Sequence, residues 1–252
     1  MSNRHGTAAL PDPPRLLVGC AGWTIPSANK AAFPEEGSHL QKFAQVFGAA
    51  EINSSFYRPH RSATYERWAD CVPPTFRFSV KLPRTITHDA KLRDIAEPLQ
   101  QFAAQAGALG AKLGCILVQL PPKLGFEAAL AADFLQRLTG SFACSIACEA
   151  RHPEWFGEQA SQLLERQGVI RVIADPAKGQ DGPHRPTAQT IYVRLHGAPR
   201  IYYSSYADNY LDDLARNMIG HAQAGRTVWT IFDNTASGAS VPNALRVQSA
   251  IS

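Results

Sequence analysis

CILVQLPPKLGFEAALAADFLQRLTGSFACSIACEARHPEWFGEQASQLLERQGVIRVIAD, residues 115–175, decides the fold. Three short apolar runs stand in it, CILVQL (115–120), CSIACEA (144–150) and VIRVIAD (169–175). Two helical patterns separate them, EAALAADFLQRL from 127 and EWFGEQASQLLERQG at 154–168, the second closing on Gly168. The runs are nearly continuously apolar and do not alternate, as expected of strands covered on both faces of a parallel sheet. Strands alternating with helices are the pattern of a parallel α/β fold.

The same unit recurs on either side. LLVGC (16–20), AAEIN (49–53) and FRFSVKL (76–82) precede it, and IYVRLHG (191–197) and TVWTIFDN (227–234) follow. The spacing averages roughly thirty residues, the length of a βα unit. Ser38 is placed to cap HLQKFAQVFGA, LRDIAEPLQQFAAQAGALGAKLG predicts a helix over 92–114, and YLDDLARNMIGHAQAG closes on Gly225. Eight strands in about 250 residues predict a single (β/α)8 TIM-type barrel over 15–252. Irregularity is expected after strand six, where DPAKGQDGPHRPTAQ (175–189) lacks a helical period, and only Ala244 to Ala250 remains for a closing helix. Residues 1–14 are expected to be disordered or loosely packed.

Composition narrows the class. The 252 residues are 45% hydrophobic, which excludes general disorder, and carry 25 Lys+Arg against 21 Asp+Glu. A net charge of +4 over that length is too small to indicate a nucleic-acid coat. No apolar run approaches the roughly 20 residues of a membrane span, and the N-terminus shows no secretory core, so no membrane role and a cytoplasmic location are expected. The five cysteines, Cys20, Cys71, Cys115, Cys144 and Cys148, are scattered without a disulfide or zinc spacing.

In a barrel the chemistry lies at the C-terminal ends of the strands. There the sequence places Glu51 and Asn53, Lys81 with Arg84 and His88, Gln119, Glu149 with Arg151 and His152, Asp175, Arg194 with His196, and Asp233 with Asn234. Charged groups flanking single strands are often solvated or structurally paired. Seven strand ends of eight carrying them points to a network in the mouth, either catalytic or a structural belt. Lys81, Arg151 and Arg194 are read as holding a small anionic ligand, because guanidinium forks match carboxylate and phosphate. Glu149, Asp175 and His196 are the candidate acids and bases, and equally the candidate ligands of a divalent metal. Glu51, Asn53, His88, Gln119, Asp233, Asn234 and, from IYYSSYADNY, Tyr206 complete the expected substrate contacts. Tyr202, Tyr203 and Tyr206 lie after Gly197-Ala198-Pro199, where a loop could close over a ligand. GCAG at 19–22 lacks both GxGxxG and GxxxxGK, there is no HExxH, and no serine sits on a Gly-flanked elbow.

VGCAGWTIP, AEINSSFYRP, FRFSVKLPRTITH, KLGCILVQLPPKL, CEARHPEW, YVRLHG, IYYSSYADNYLDDL and FDNTASGASVPNAL run in order from Val18 to Leu245. Through these segments the chain resembles the domain-of-unknown-function 72 family, also called YecE-like. The resemblance implies a TIM-barrel-type fold and supplies no reaction. It also implies an aromatic or bulky residue after the strand-five glutamate, where this chain has Ala150, so one apolar wall of the pocket is reduced. Three readings stay open: an enzyme of acid-base or hydrolytic chemistry on a small anionic substrate, a nucleic-acid-binding or metal-dependent endonuclease-like barrel, and a non-catalytic ligand sensor. Oligomeric state has no signature in the sequence.

Overall fold

A computed structural model describes residues 15–252; the expectation for residues 1–14 lies outside them. Nine parallel strands form a nearly closed barrel: β1 (Leu16–Ala21), β2 (Ala49–Ile52), β3 (Arg77–Lys81), β4 (Leu113–Gln119), β5 (Ser145–Glu149), β6 (Ile170–Arg171), β7 (Ile173–Asp175), β8 (Ile191–Leu195) and β9 (Val228–Phe232). The sheet order is β6-β5-β4-β3-β2-β1-β9-β8-β7. All eight apolar runs are strands, and the count reaches nine because run 169–175 divides at Val172. Its first part pairs with β5 and its second with β8. Val172 N–H still donates to Cys148 O at 3.0 Å, so one continuous segment closes the ring by changing partner at Val172.

Among the described residues eight α-helices cover the sheet: α1 (His39–Val46), α2 (Ser54–Tyr57), α3 (Ser62–Asp70), α4 (Ala96–Ala106), α5 (Ala128–Ser141), α6 (Glu158–Arg166), α7 (Asp208–Gln223) and α8 (Ser240–Ile251). Ser38 caps α1 in a reciprocal capping box with Gln41. The helix expected over 92–114 is shorter. Leu92 and Asp94 have positive φ, and Gly107 begins a 3-10 segment that contains the positive-φ Gly110, so regular helix is confined to α4. No helix lies between β7 and β8, as the 175–189 stretch predicts. Among the described residues no helix is long and apolar enough to cross a membrane.

Alternation sorts each strand into two faces. Outward residues such as Val18, Ile116, Ile146 and Leu195 pack with the helices in one large cluster. Leu17, Leu117, Ala147, Val172, Trp229 and Ile231 fill the barrel in a second. A Cβ on Gly114 would lie 2.7 Å from the Trp229 ring, so glycine makes room for that plug. Tyr192 stacks on Trp229 with ring centroids 5.7 Å apart and turns its hydroxyl toward Glu51. Above that hydroxyl the interior becomes polar.

Candidate active site

Counting along the inward phase places Glu51, Lys81, Gln119, Glu149, Arg194 and His196 at the mouth, with Asp233 beside them. Arg194 is the centre, fully enclosed at 0% exposure. Its Nε donates to Glu51 Oε2 at 3.0 Å and its Nη2 to Glu51 Oε1 at 2.6 Å, a bidentate pair. Nη2 also reaches Asp233 Oδ2 at 3.0 Å, and Nη1 donates to Glu149 Oε2. This geometry revises the anion-holding role expected of Arg194. A guanidinium enclosed by three carboxylates organises the belt and does not face a ligand.

The carboxylates are equally committed. Glu149 Oε1 accepts from Arg151 Nε at 3.0 Å and Nη2 at 2.8 Å. Burial alone would raise the Glu149 pKa, but the Arg194 charge and the His196 and Arg151 partners hold it well below the usual carboxylate range. Asp233 is lowered in the same way against its own burial, chiefly by Arg194 and His196. Glu149 therefore stays a carboxylate and is unsuited to donating a proton at neutral pH.

His196 is different. Its Nδ1 lies 3.0 Å from Asp233 Oδ2 and its Nε2 3.3 Å from Glu149 Oε1. The Nε2 contact is not aligned as a hydrogen bond, and that atom is buried without a partner. Burial opposes charge on the ring, yet the Asp233 hydrogen bond and the negative charge of Glu149 outweigh it and raise the pKa above 6.5. His196 shares a narrow cleft with Glu149, Arg151, Lys178 and Tyr202, walled by Ala150, Ala174, Pro176 and Ile201. Ala150 stands where the family resemblance implies a larger side chain.

Across the mouth Lys81 Nζ donates to Gln119 Oε1 at 2.7 Å and lies 4.4 Å from the centre of the Phe56 ring. Burial, reinforced by Arg194, lowers its pKa to about 8 against the pull of the carboxylates. His88 bonds Thr87 Oγ1 through Nδ1 at 2.8 Å and sets its ring edge against Phe56. Its pKa is lowered by partial burial and by the neighbouring Lys81, Arg84 and Arg151. Asn53 Nδ2 donates to Asp233 Oδ1 at 3.2 Å, leaving its own Oδ1 buried and unbonded.

Three expected site residues sit elsewhere. Asp175 is out of phase with the inward Ala174, and its oxygens accept from the hydroxyls of Tyr206 (3.1 Å) and Tyr210 (2.8 Å). Asn234 Nδ2 donates to Ser204 O at 3.0 Å and Asn243 Oδ1 at 2.9 Å, tying the loop after β8 to α8. Tyr206 is buried, and its hydroxyl accepts from Gly197 N–H at 2.9 Å, so it fixes this loop from beneath. The metal candidates Glu149, Asp175 and His196 consequently do not converge. Among the described residues no three His, Cys, Asp or Glu side chains are grouped to hold a metal ion.

Other contributors carry no signal in motif or spacing. Tyr192 donates to Glu51 at 2.9 Å and meets Ser79 Oγ at 2.7 Å, closing the belt from below. Both lie two residues before inward charged positions, Arg194 and Lys81, so strand phase could have found them. Tyr202 packs against His196 in a T-shaped arrangement, 5.9 Å between ring centroids, and lines the same cleft as Arg151.

A family model described as "Protein of unknown function DUF72" matches residues 17–252. The curated protein YecE of Escherichia coli K12 is 30% identical over 166 residues, 64% of this chain and 59% of YecE, so the match spans under two thirds of that relative. Among solved structures, a DUF72 family protein from Thermotoga maritima aligns at TM-score 0.77 and 24% identity, covering 93% of this chain and 98% of its own. A sugar phosphate isomerase/epimerase from Parabacteroides distasonis aligns at TM-score 0.56 and 12% identity, covering 97% and 94%. At these identities the two structural likenesses show the barrel fold.

Proposed function

Because the chain belongs to the DUF72 family, whose description carries no reaction, we propose a function from the site: an enzyme that binds a small anionic substrate at the barrel mouth and moves a proton with His196. One observation carries this reading. His196 is braced at Nδ1 by Asp233, while its unbonded Nε2 edge shares a cleft with Arg151 and Lys178. A histidine oriented by a carboxylate and biased toward the imidazolium is suited to act as a general acid. Arg151 and Lys178 supply the charge that attracts the anion, and the belt beneath holds the ring in place. The fold likeness to a sugar phosphate isomerase/epimerase is compatible with a phosphorylated substrate.

Sulfate, ionised throughout the accessible pH range, is the probe. Titration calorimetry should show sulfate binding at millimolar level, and binding should weaken as the pH rises past the elevated His196 pKa, because the imidazolium is the form that favours an anion. Arg151→Ala should weaken it at every pH, while His196→Gln should flatten the pH dependence. Sulfate affinity indifferent to both substitutions would overturn the assignment.

A second reading, single-stranded nucleic acid, draws on Tyr57, Tyr202 and Tyr203, large exposed side chains that follow β2 and β8. Exposed rings offer stacking platforms for bases. Fluorescence anisotropy of a labelled oligothymidylate separates the readings. Micromolar binding with a steep salt dependence, lost in Tyr57→Ala, would favour the polymer.

A further inference from the structure

Three buried carboxylates and three cations share the mouth, yet Lys81 is left out of their pairing. Both oxygens of Glu51 engage Arg194, both oxygens of Glu149 engage Arg194 or Arg151, and Asp233 takes Arg194, His196 and Asn53. Among the described residues Lys81 has no carboxylate within the 4.0 Å of an ion pair. Its partners are the neutral amide of Gln119 and the face of Phe56. A lysine retained for structure in such a cluster would be expected to complete an ion pair, because a buried charge persists only when it is compensated. This one is 7% exposed, ends the inward face of β3 and adjoins the C-terminal mouth where barrel chemistry occurs.

We propose that Lys81 is a carbonyl-reactive nucleophile that forms an imine with the substrate, which makes the substrate a small aldehyde or ketone carrying a carboxylate or phosphate. The inference rests on the reading of the mouth as an enzyme site for a small anion and names the reacting group. A lysine becomes nucleophilic when it is desolvated or placed beside another cation, and both conditions hold here. Burial and the Arg194 charge bring its pKa to about 8, so a useful share of the amine is unprotonated near neutrality.

The step balances without an oxidant. The Nζ lone pair attacks the carbonyl carbon, forming a C–N bond, and the carbonyl oxygen takes up a proton while the nitrogen gives one up. The resulting carbinolamine hydroxyl is protonated and leaves as water as the C=N bond forms. Hydrolysis by the reverse route restores the amine. While it stands, the protonated imine draws electrons from the adjacent C–H, the bond an acid-base enzyme would work on.

Borohydride trapping tests this on the full-length protein. The protein is incubated at pH 7.5 with glyoxylate or pyruvate in one arm and glyceraldehyde 3-phosphate or pyridoxal 5′-phosphate in the other, then reduced with sodium borohydride. Intact mass and peptide mapping locate the adduct, and the two arms distinguish carboxylate from phosphate. The expected result is a single adduct at Lys81, formed at least about tenfold faster than at the exposed Lys30 and Lys123. Gln119→Glu gives Lys81 an ion-pair partner, which favours the ammonium over the free amine and should slow the adduct by about tenfold or more. Labelling of Lys81 no faster than of Lys30, in protein that binds sulfate, would overturn the imine and leave the anion site standing. Trapping at Lys81 without sulfate binding would support the imine and sink the anion site. Neither result would remove both.

Discussion

The floor of the mouth and the ledge above it are built from the same kinds of residue and satisfied to very different degrees. On the floor Arg194 is held by Glu51, Glu149 and Asp233, with Tyr192 beneath, and the enclosed donors and acceptors are matched. On the ledge Lys81 has one neutral hydrogen bond, and His196 Nε2 and Asn53 Oδ1 are buried without any. Burial costs both regions solvation. Only the floor recovers it inside the protein, and the ledge is where a ligand would complete the bonding. The comparison locates chemistry at incomplete neutralisation, not at charge density.

The sharpest way to break the comparison is to remove one cation from each region. Arg194→Ala leaves buried Glu51 without a cation and takes one from Glu149 and Asp233, and should destabilise by about 3–5 kcal/mol or prevent folding. Lys81→Met replaces an unpaired buried amine with an apolar side chain of similar length over Phe56, and should leave stability unchanged or raise it. Urea denaturation at pH 7 measures both. A Lys81→Met loss as large as that of Arg194→Ala would make Lys81 part of the belt.

Difference curves of stability against pH sharpen it further. Lys81 has a folded pKa near 8 against an ordinary 10.5, so between those values the unfolded chain holds more protons and stability rises with pH. Wild type minus Lys81→Met should climb across pH 8 to 10.5. His196 has the opposite sign. Its folded pKa is raised, so its contribution is complete below 6.5 and is lost as the pH rises through the folded value. Wild type minus His196→Gln should therefore fall over that interval. Glu149 and Asp233, lowered in the folded state, contribute above the ordinary carboxylate range and lose that contribution on acidification. Slopes of one sign in the two difference curves would mean that these side chains do not experience opposite surroundings.

Which part of this was legible in the sequence depends on strand phase. The apolar runs located every strand, because a run buried on both faces needs no register to be recognised. The change of partner at Val172 is not visible in the sequence, since VIRVIAD carries no glycine or proline to mark a break. At the mouth, Glu51, Lys81, Gln119, Glu149, Arg194 and His196 lie together because each lies on the inward phase. Asp175 and Asn234 follow inward positions by one residue, and that step turns a side chain to the other face. Arg194 illustrates a further limit. Its position was readable, but whether its fork meets a ligand or three carboxylates depends on distances between strands far apart in sequence.

The smallest expected effects separate two tyrosines of one loop and test the same comparison at the level of single hydroxyls. Tyr206 is buried, and its hydroxyl accepts from Gly197 and reaches Asp175, so it belongs with the satisfied structure. Tyr206→Phe removes an acceptor from a buried N–H and should cost about 1 kcal/mol of stability. Tyr202 is exposed, sets its ring on His196 and lines the cleft that holds Arg151. Losing its hydroxyl leaves the Arg151–Glu149 pair in place and no buried group unpaired, so Tyr202→Phe should keep stability within about 0.5 kcal/mol of wild type. It should nevertheless weaken sulfate binding by about two- to fivefold, because Tyr202 lines the cleft with Arg151 and its hydroxyl is the donor it can offer an anion there. Thermal melts and sulfate titrations on the two variants form a crossed pair. If Tyr202→Phe lowers stability and spares binding, the hydroxyl of Tyr202 is a structural contact and the loop does not serve the site.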